Sequence, residues 1–455
     1  MNTSKLKWKR MKSKLLLKLS LLCLFSISIS VVNAQQFSLE EAQQYAVEHS
    51  YQARSANLEV EKSQRKVKET ISTGLPQVNA TASYQNYIEL PVQLVPAEPF
   101  GGNPGEYAEF TMGTEQQMGF DLRATQLLFD GSYFVGLQAS KVYLELSKND
   151  QRKTETEIKQ MVTQSYGNVL VTEENIEILK QNMENLQSQL EETKALFQNG
   201  FAEEQDRDQL ELLLANAKNA YEQALRQKDI SRNQLKFMMG IDINSEIELT
   251  DNLEEITVSN AGESLLNTEF DVKNHIDYKV LSTQEQASKL LFKQEKSTYL
   301  PKLSAFASYQ QNSYSNEFNF FDDSRWFPTE VVGLNFSMPI FSSFGRNQRI
   351  QQAKIEMEQV GVAKKQMEQQ LLIQLENARS EYTFALSQFN TAKDNLKLAE
   401  RIYNKTKIKY EEGVDSSMDL TQANNQLLDT QGNYINAALQ LINAKSNLDK
   451  ALNNY

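Results

Sequence analysis

The chain is 455 residues long, carries a formal net charge of −12, and holds only 8 Pro and 17 Gly. Gln, Asn, Glu, Lys, Leu and Ala fill long uninterrupted stretches, a composition of long helices and coiled coils rather than of successive compact domains. The acidic balance argues against nucleic acid as a partner, and a single cysteine excludes a disulfide framework.

The first 34 residues differ in kind. Lys5, Lys7, Lys9, Arg10, Lys12, Lys14 and Lys18 precede and enter an apolar run from Leu15 to Val32, and Val32-Asn33-Ala34 offers small residues for cleavage before Gln35. Residues 1–34 therefore fit a secretory signal peptide better than a membrane anchor. Its removal takes seven of the 47 basic residues and none of the 59 acidic ones, leaving a mature net charge of −19. Cys23 leaves with it, and Ser20-Leu21-Leu22 before that cysteine does not make a lipoprotein cleavage box. No other apolar run reaches about 18 residues, so no helix is expected to cross a membrane.

In chain order, residues 38–72 predict one polar helix capped by Ser38, with Glu40 and Glu41 in its first turn and Gly74 and Pro76 ending it. A strand follows, with Val78, Ala80, Ala82 and Tyr84 on one face and Asn79, Thr81, Ser83 and Gln85 on the other. Residues 91–105, with four prolines and three glycines, predict an exposed loop. A second strand alternates Met118, Phe120, Leu122 and Ala124 against Gly119, Asp121, Arg123 and Thr125. A helix without Pro then runs from Ser132 to about Phe197, roughly 100 Å long. It turns at Asn199-Gly200-Phe201 and is followed by a return helix. Residues 241–268 are expected as irregular linking structure, with a short strand at Ile247-Glu248-Leu249 whose partner the sequence does not reveal.

The pattern then repeats. Leu75-Pro76 answers to Leu300-Pro301, Leu128-Phe129-Asp130-Gly131-Ser132 to Ile340-Phe341-Ser342-Ser343-Phe344, and Gly200 to Gly413. Strands at Leu303, Ala305, Ala307, Tyr309 and at Val332, Leu334, Phe336, Met338, Ile340 flank an aromatic, acidic loop at 311–329. The second long helix runs from Arg346 to about Tyr410. The seam Ile176, Leu179, Met183, Leu186, Leu190, Thr193, Phe197 recurs 213 residues later as Phe389, Ala392, Leu396, Ala399, Tyr403, Thr406, Tyr410. Such spacing asks for a packing partner, which the return helices supply. The repeat divides the mature chain into residues 35–240 and 269–455 around the linker 241–268.

Four amphipathic strands cannot close a barrel, for which about eight is the practical minimum. Left open, they expose edges and an apolar face. Closure by several chains in an outer membrane answers both problems; a soluble β-layer packed on helices answers them only without using the two very long arms.

At this point the layout resembles the TolC-like outer-membrane efflux proteins: helix, Leu-Pro, strand, loop, strand, long helix, Tyr/Phe-x-x-Gly turn, return helix. The resemblance covers about residues 36–452. Its sharpest marks are Phe197-Gln198-Asn199-Gly200 and Tyr410-Glu411-Glu412-Gly413, each followed by an acid, Asp206 and Asp419. It implies a mainly α fold with a β-barrel contribution: a homotrimer with a twelve-stranded barrel in outer-membrane lipid and a hollow helical tunnel across the periplasm. It also implies docking of a periplasmic adaptor and an inner-membrane pump, around the turn residues Phe197, Gly200, Tyr410 and Gly413. Passive export in tripartite efflux or type I secretion needs no cofactor.

The resemblance further implies that Asp206, Tyr410, Asp415 and Asp419 line a gate at the tunnel's far end, where carboxylate rings attract cations. Where some relatives carry a gate-tethering arginine, this chain has Asp415. The same acids also suit helix starts: Glu203, Glu204 and Asp206 face a helix dipole, and Ser416 with Asp419 has capping-box spacing. His49 and His275 precede their Leu-Pro pairs at nearly equal distances, without the neighbours a metal site needs. Trp326, Phe327 and Phe321 suit either an interfacial aromatic belt or loop packing. Competing classes are a secreted trimeric coiled-coil stalk or adhesin and a periplasmic adaptor, against which stand the two internal strand pairs and two hairpins. An enzyme is disfavoured by the lack of a nucleophile, His or Cys cluster, or glycine-rich loop.

Overall fold

The computed structural model describes residues 35–258, 265–322 and 325–455. The expected signal peptide lies outside them. The fold is mainly helical with a smaller strand component, and its elements are introduced here in chain order. Strand β1 (Gln35–Phe37) leads into helices α1 (Leu39–His49) and α2 (Tyr51–Ser72), then strands β2 (Gln77–Asn86), β3 (Val92–Pro96), β4 (Tyr107–Thr111) and β5 (Gln116–Asp130). Helices α3 (Gly131–Gln198) and α4 (Glu204–Met239) form the first hairpin. Strand β6 (Ile247–Leu249) and helices α5 (Leu253–Val258) and α6 (Ile276–Ser297) precede strands β7 (Lys302–Ser315) and β8 (Trp326–Ser337). Helices α7 (Gly345–Glu411) and α8 (Ser417–Leu452) form the second hairpin.

The long helices follow the proline-free stretches closely: α3 has 68 residues and α7 has 67, with return helices of 36 each. At 1.5 Å per residue the two arms are each roughly 100 Å long. Within each arm the heptad positions pack as the spacing demands. Leu186 and Leu190 meet Leu210 and Ala217 in the first, and Ala399 and Tyr403 meet Leu420 and Leu427 in the second.

The expected single helix at 38–72 is two helices. Ser38 does cap the first, in a reciprocal capping box with Glu41. Ser50, however, is extended at ψ 154 and caps a second helix through Ala53 N–H. His275 caps α6 in the same way, its Nδ1 accepting from Asp277 N–H at 3.2 Å.

The linker also departs from expectation. β6 pairs in parallel with β1, Gln35 opposite Ile247 and Phe37 opposite Leu249. The buried Tyr166 hydroxyl of α3 clamps this junction, donating to Phe37 O (2.9 Å) or to the Asp251 carboxylate (3.0 Å). Asp251 in turn accepts from Leu39 N–H at 2.7 Å. Below them Ile158, Val162, Leu235, Met239 and Ile247 form one core cluster. The partner strand was invisible in the sequence because it comprises the three residues directly after the expected cleavage site.

Strands β2, β5, β7 and β8 form one antiparallel sheet in that order, leaving β2 and β8 as edges. Register sorts the side chains as the alternation foretold. Val78, Ala80, Ala82 and Tyr84 lie opposite Ala124, Leu122, Phe120 and Met118, and the row continues through Ala307 and Tyr309 to Val332 and Glu330. Asn79, Thr81 and Ser83 share the other face with Arg123, Asp121 and Gly119. The second strand of each pair deviates at its end: β5 runs on to Asp130 through an irregularity between Leu127 and Phe129, whereas β8 stops at Ser337, short of the expected Ile340.

The expected exposed loop at 91–105 is mostly a second hairpin. β3 pairs with β4 from Val92↔Thr111 to Pro96↔Tyr107, and Tyr87 N–H to Glu115 O (2.7 Å) prolongs the β2–β5 ladder toward it. Prolines mask this reading in the sequence, since all four stand at strand ends or in the connecting turn. The aromatic loop expected from 311 is shorter, because β7 continues to Ser315. Phe318 and Phe320 fold back onto the Tyr84 ring, with centroids 5.6 and 6.0 Å away. Trp326 shares the Tyr84 face, through Ser313 and Met118. Phe327 points to the other face, beside Tyr314. Neighbouring residues of one strand cannot sit in the same belt.

Candidate functional site at the hairpin tips

Each arm reverses over a glycine in the left-handed region, Gly200 at φ 78 and Gly413 at φ 73, a conformation in which a Cβ would be strained. At the first tip Phe201 N–H closes the turn on Leu196 O at 2.8 Å; at the second, Val414 N–H closes on Lys409 O at the same distance. The return helices then start in matching ways. Glu203 N–H donates to Asp206 Oδ2 at 3.1 Å, and Ser416 N–H donates to Asp419 Oδ2 at 3.0 Å. Ser416 Oγ donates to the same carboxylate at 2.6 Å. These bonds, the hydroxyl's first, hold the Asp419 carboxyl below the ordinary aspartate value.

The two tips enclose a cleft of about 730 Å³. Six acids line it, Glu192, Glu203, Asp206, Glu411, Glu412 and Asp415, and no lysine or arginine does. Asp206, Tyr410 and Asp415 of the sequence-derived set thus meet in one place. Asp419 does not line the cleft; its carboxylate is turned into the helix cap. Asp415 ion-pairs with Lys409 of its own chain at 3.4 Å, so this carboxylate is tied locally. Phe197 lies under the Arg207 guanidinium, 5.0 Å from the ring centroid, while Phe201, Val414 and Met418 are the exposed apolar side chains of the tips.

Sequence reasoning named Tyr410 but missed what it touches. Its hydroxyl lies 3.3 Å from Thr193 Oγ1 on the other arm, and higher up Gln189 donates to the Tyr403 hydroxyl at 2.6 Å. Thr193 and Tyr403 stood in the heptad seams as spacing positions; hydrogen bonding between the arms leaves no periodic signal. Neither histidine approaches a ligand set. His49 Nδ1 lies 3.1 Å from Tyr45 O and its ring stacks on Tyr45, and no group of three metal-ligating side chains occurs among the described residues.

Two long antiparallel arms, an acid-lined cleft at their tips and a two-faced open sheet define a helical-hairpin protein with a four-stranded sheet at one end. The chain belongs to the outer membrane efflux protein family, whose model matches residues 42–241 and 274–454. No protein of curated function matches it in sequence. It shares its fold with the CmeC outer membrane channel of Campylobacter jejuni, at 18% identity over 91% of this chain and 85% of that one, with a TM-score of 0.68. VceC of Vibrio cholerae, an outer membrane protein, is similar at 13% identity over 91% and 95%, TM-score 0.66. The open-state MtrE outer membrane channel of Neisseria gonorrhoeae is similar at 16% identity over 91% and 88%, TM-score 0.66. At these identities the likeness is one of fold.

Proposed function

We propose that the mature chain, exported by its signal peptide, is the outer-membrane exit duct of a tripartite efflux or type I secretion system. Three copies close their sheets into a twelve-stranded barrel, and their arms form a periplasmic tunnel. The duct is passive and non-enzymatic, takes no cofactor, and is fed by an inner-membrane pump through a periplasmic adaptor that docks at the tips around Phe197, Gly200, Tyr410 and Gly413. In this reading residues 35–240 and 269–455 are two copies of one unit, joined by 241–268.

One observation carries the reading. A four-stranded sheet with an apolar face and two unpaired edges sits at one end of two roughly 100 Å arms. Val332, Leu334 and Phe336 are 85%, 69% and 64% exposed on that face, an arrangement unstable in water and natural in lipid once closed. At the far end Asp206, Asp415 and Tyr410, repeated three times, form the gate, with Asp419 bracing its helix start. A pore narrowed by carboxylates favours cations.

The test is conductance of the purified mature protein in a planar bilayer. Discrete cation-selective steps are expected. Well-folded trimers that never conduct, even after the Asp206→Asn/Asp415→Asn change meant to loosen the gate, would overturn the duct.

A further inference from the structure

The apolar face of the sheet is not open along its whole length. On β8 it runs from Trp326 past Glu330 and Val332 to Phe336, and the chain carries the alternation on to Ile340. Ile340 is 93% exposed and Val332 85%, yet Ser313, opposite Trp326 at the far end of the same face, is fully buried. The loop between β7 and β8 covers that end. Its Phe318 and Phe320 rings turn back across β5 onto Tyr84 of β2, and Phe320 is 3% exposed. Asn316 Oδ1 accepts from Glu115 N–H at 3.2 Å, fixing the loop's first residue beside the start of β5. Ser313 Oγ donates to Arg325 O at 3.0 Å where the chain returns.

We propose that residues 316–322 lie folded against the outside of the barrel wall, in the headgroup layer of the outer leaflet, with the Phe318 and Phe321 rings resting on lipid. The inference rests on the duct reading, which turns the apolar face to lipid but leaves open how the loops lie. Height decides where the loop falls. A strand rises about 3.4 Å per residue and tilts by about 40°, so about ten residues climb about 25 Å, the height of an outer-membrane apolar band. Counted from Ile340, that length reaches Glu330, the one ionisable side chain on this face of β8. Hydrocarbon therefore ends near the row Ala80, Leu122, Tyr309, Glu330.

Two rows of the same face stand above that line and are still apolar. One carries Tyr84, Met118 and Trp326, the other Ala82, Phe120 and Pro328. Bare, they would meet water at the membrane surface; the loop supplies their cover. Its own exposed charges, Glu317 and Asp322, keep it out of the hydrocarbon. Phe318 and Phe321, 59% and 77% exposed, present rings of the kind a headgroup layer accepts. A loop placed to close the mouth would turn the opposite way, toward the face of Asn79, Thr81 and Ser83.

Tryptophan fluorescence tests the placement. The sequence holds two tryptophans, Trp8 in the signal peptide and Trp326, so Trp326→Phe leaves the mature chain dark. Into that background go Phe321→Trp in the loop, Val332→Trp on the apolar face, and Phe100→Trp at the tip of the β3–β4 hairpin as an aqueous reference. Phe318→Trp repeats the loop measurement from its other exposed ring. Each mature protein is placed in phosphatidylcholine vesicles carrying either a headgroup nitroxide or bromines near the acyl-chain ends, and acrylamide is added from the water.

Quenching of Phe321→Trp by the headgroup nitroxide is expected to exceed that by the deep bromines at least about twofold, and Val332→Trp should show the reverse order. Loop tryptophans that respond only to acrylamide, as Phe100→Trp does, beside a Val332→Trp quenched by bromine, would overturn the loop's placement and leave the duct standing. Loop tryptophans quenched best by the deep bromines would overturn it as well, by setting the loop within the hydrocarbon. A Val332→Trp that neither lipid quencher touches would overturn the duct reading itself.

Discussion

Gln189 on the first arm donates its side-chain amide to the hydroxyl of Tyr403 on the second, 2.6 Å away, with both residues 4% exposed. Around them the contact between arms is polar and incompletely paired. Gln189 Oε1, Asn182 Nδ2 and both polar atoms of Asn424 find no protein partner. Within each arm, by contrast, Leu186, Leu190 and Leu210, or Leu420 and Leu427, make an apolar seam. Near the tips, then, an apolar seam holds each hairpin while polar groups join the two arms; farther from the tips Val171 of α3 packs in one apolar cluster with Ala438, Leu441 and Ile442 of α8.

Tyr403→Phe should lower stability by about 1–3 kcal/mol, because it strands the remaining polar group of Gln189 in a buried site. Adding Gln189→Leu should recover most of that loss, since removing both partners leaves nothing unpaired. Denaturant midpoints of the two variants in detergent provide the measurement. A double variant as unstable as the single one would show that packing, not the hydrogen bond, is what Tyr403 contributes.

Two glycines should respond oppositely to alanine. Gly240 ends α4 at φ 76, and a Cβ there would stand 2.5 Å from the His49 carbonyl oxygen. Gly240→Ala combines a left-handed backbone with a backbone collision and should cost well over about 1–2 kcal/mol. Gly432 lies inside α8 with nothing within 4 Å of its missing Cβ. Gly432→Ala should stabilise the helix by about 0.5–1 kcal/mol. Thermal unfolding of the two variants under one condition checks both signs.

His275 should make stability depend on pH. Burial pushes its imidazole below the ordinary value of 6.5, outweighing Asp277, whose Oδ2 lies 3.7 Å from Nδ1. Lys153, paired with Asp277, and Lys450 add positive charge nearby. The folded state thus holds the ring neutral as cap acceptor, while the unfolded chain takes up a proton near its ordinary value. Its contribution is complete above pH 6.5 and fades as pH falls from there through the lowered folded value. His275→Ser, the residue type that caps α2 at Ser50, should fold and lose that part of the pH dependence. Unfolding midpoints between about pH 5 and 8 would reveal it.

The carboxylates at the tips should not be equivalent in selectivity. Asp206 and Asp415 line the cleft between the arms, although Asp206 also accepts from Glu203 N–H at its own helix start, whereas Asp419 lies outside the cleft in its cap with Ser416. Asp206→Asn/Asp415→Asn should remove the larger part of the cation preference, read as a shift in reversal potential under a salt gradient. Asp419→Asn should mainly loosen the start of α8. An equal loss of selectivity from Asp419→Asn would place that carboxylate in the ion path.

The extent of the helices, the two tips and the two faces of the sheet were legible in the sequence because each follows from a local rule. Proline-free heptads make α3 and α7, Gly200 and Gly413 supply turns that other residues resist, and alternation assigns Val78 and Asn79 to opposite faces before any fold is known. What joins distant segments was not legible. The β1–β6 pair unites Gln35 with Ile247, Ser50 breaks a helix that composition alone would continue, and Thr193 finds Tyr410 across two arms. The acids near the tips were visible in the sequence, yet only packing showed that Asp206 and Asp415 line the cleft and that Asp419 does not. The physical reason is one of range. Helix periodicity, turn conformation and strand alternation are set by neighbours a few residues apart, whereas register, cap partners and clefts arise where the chain returns to itself.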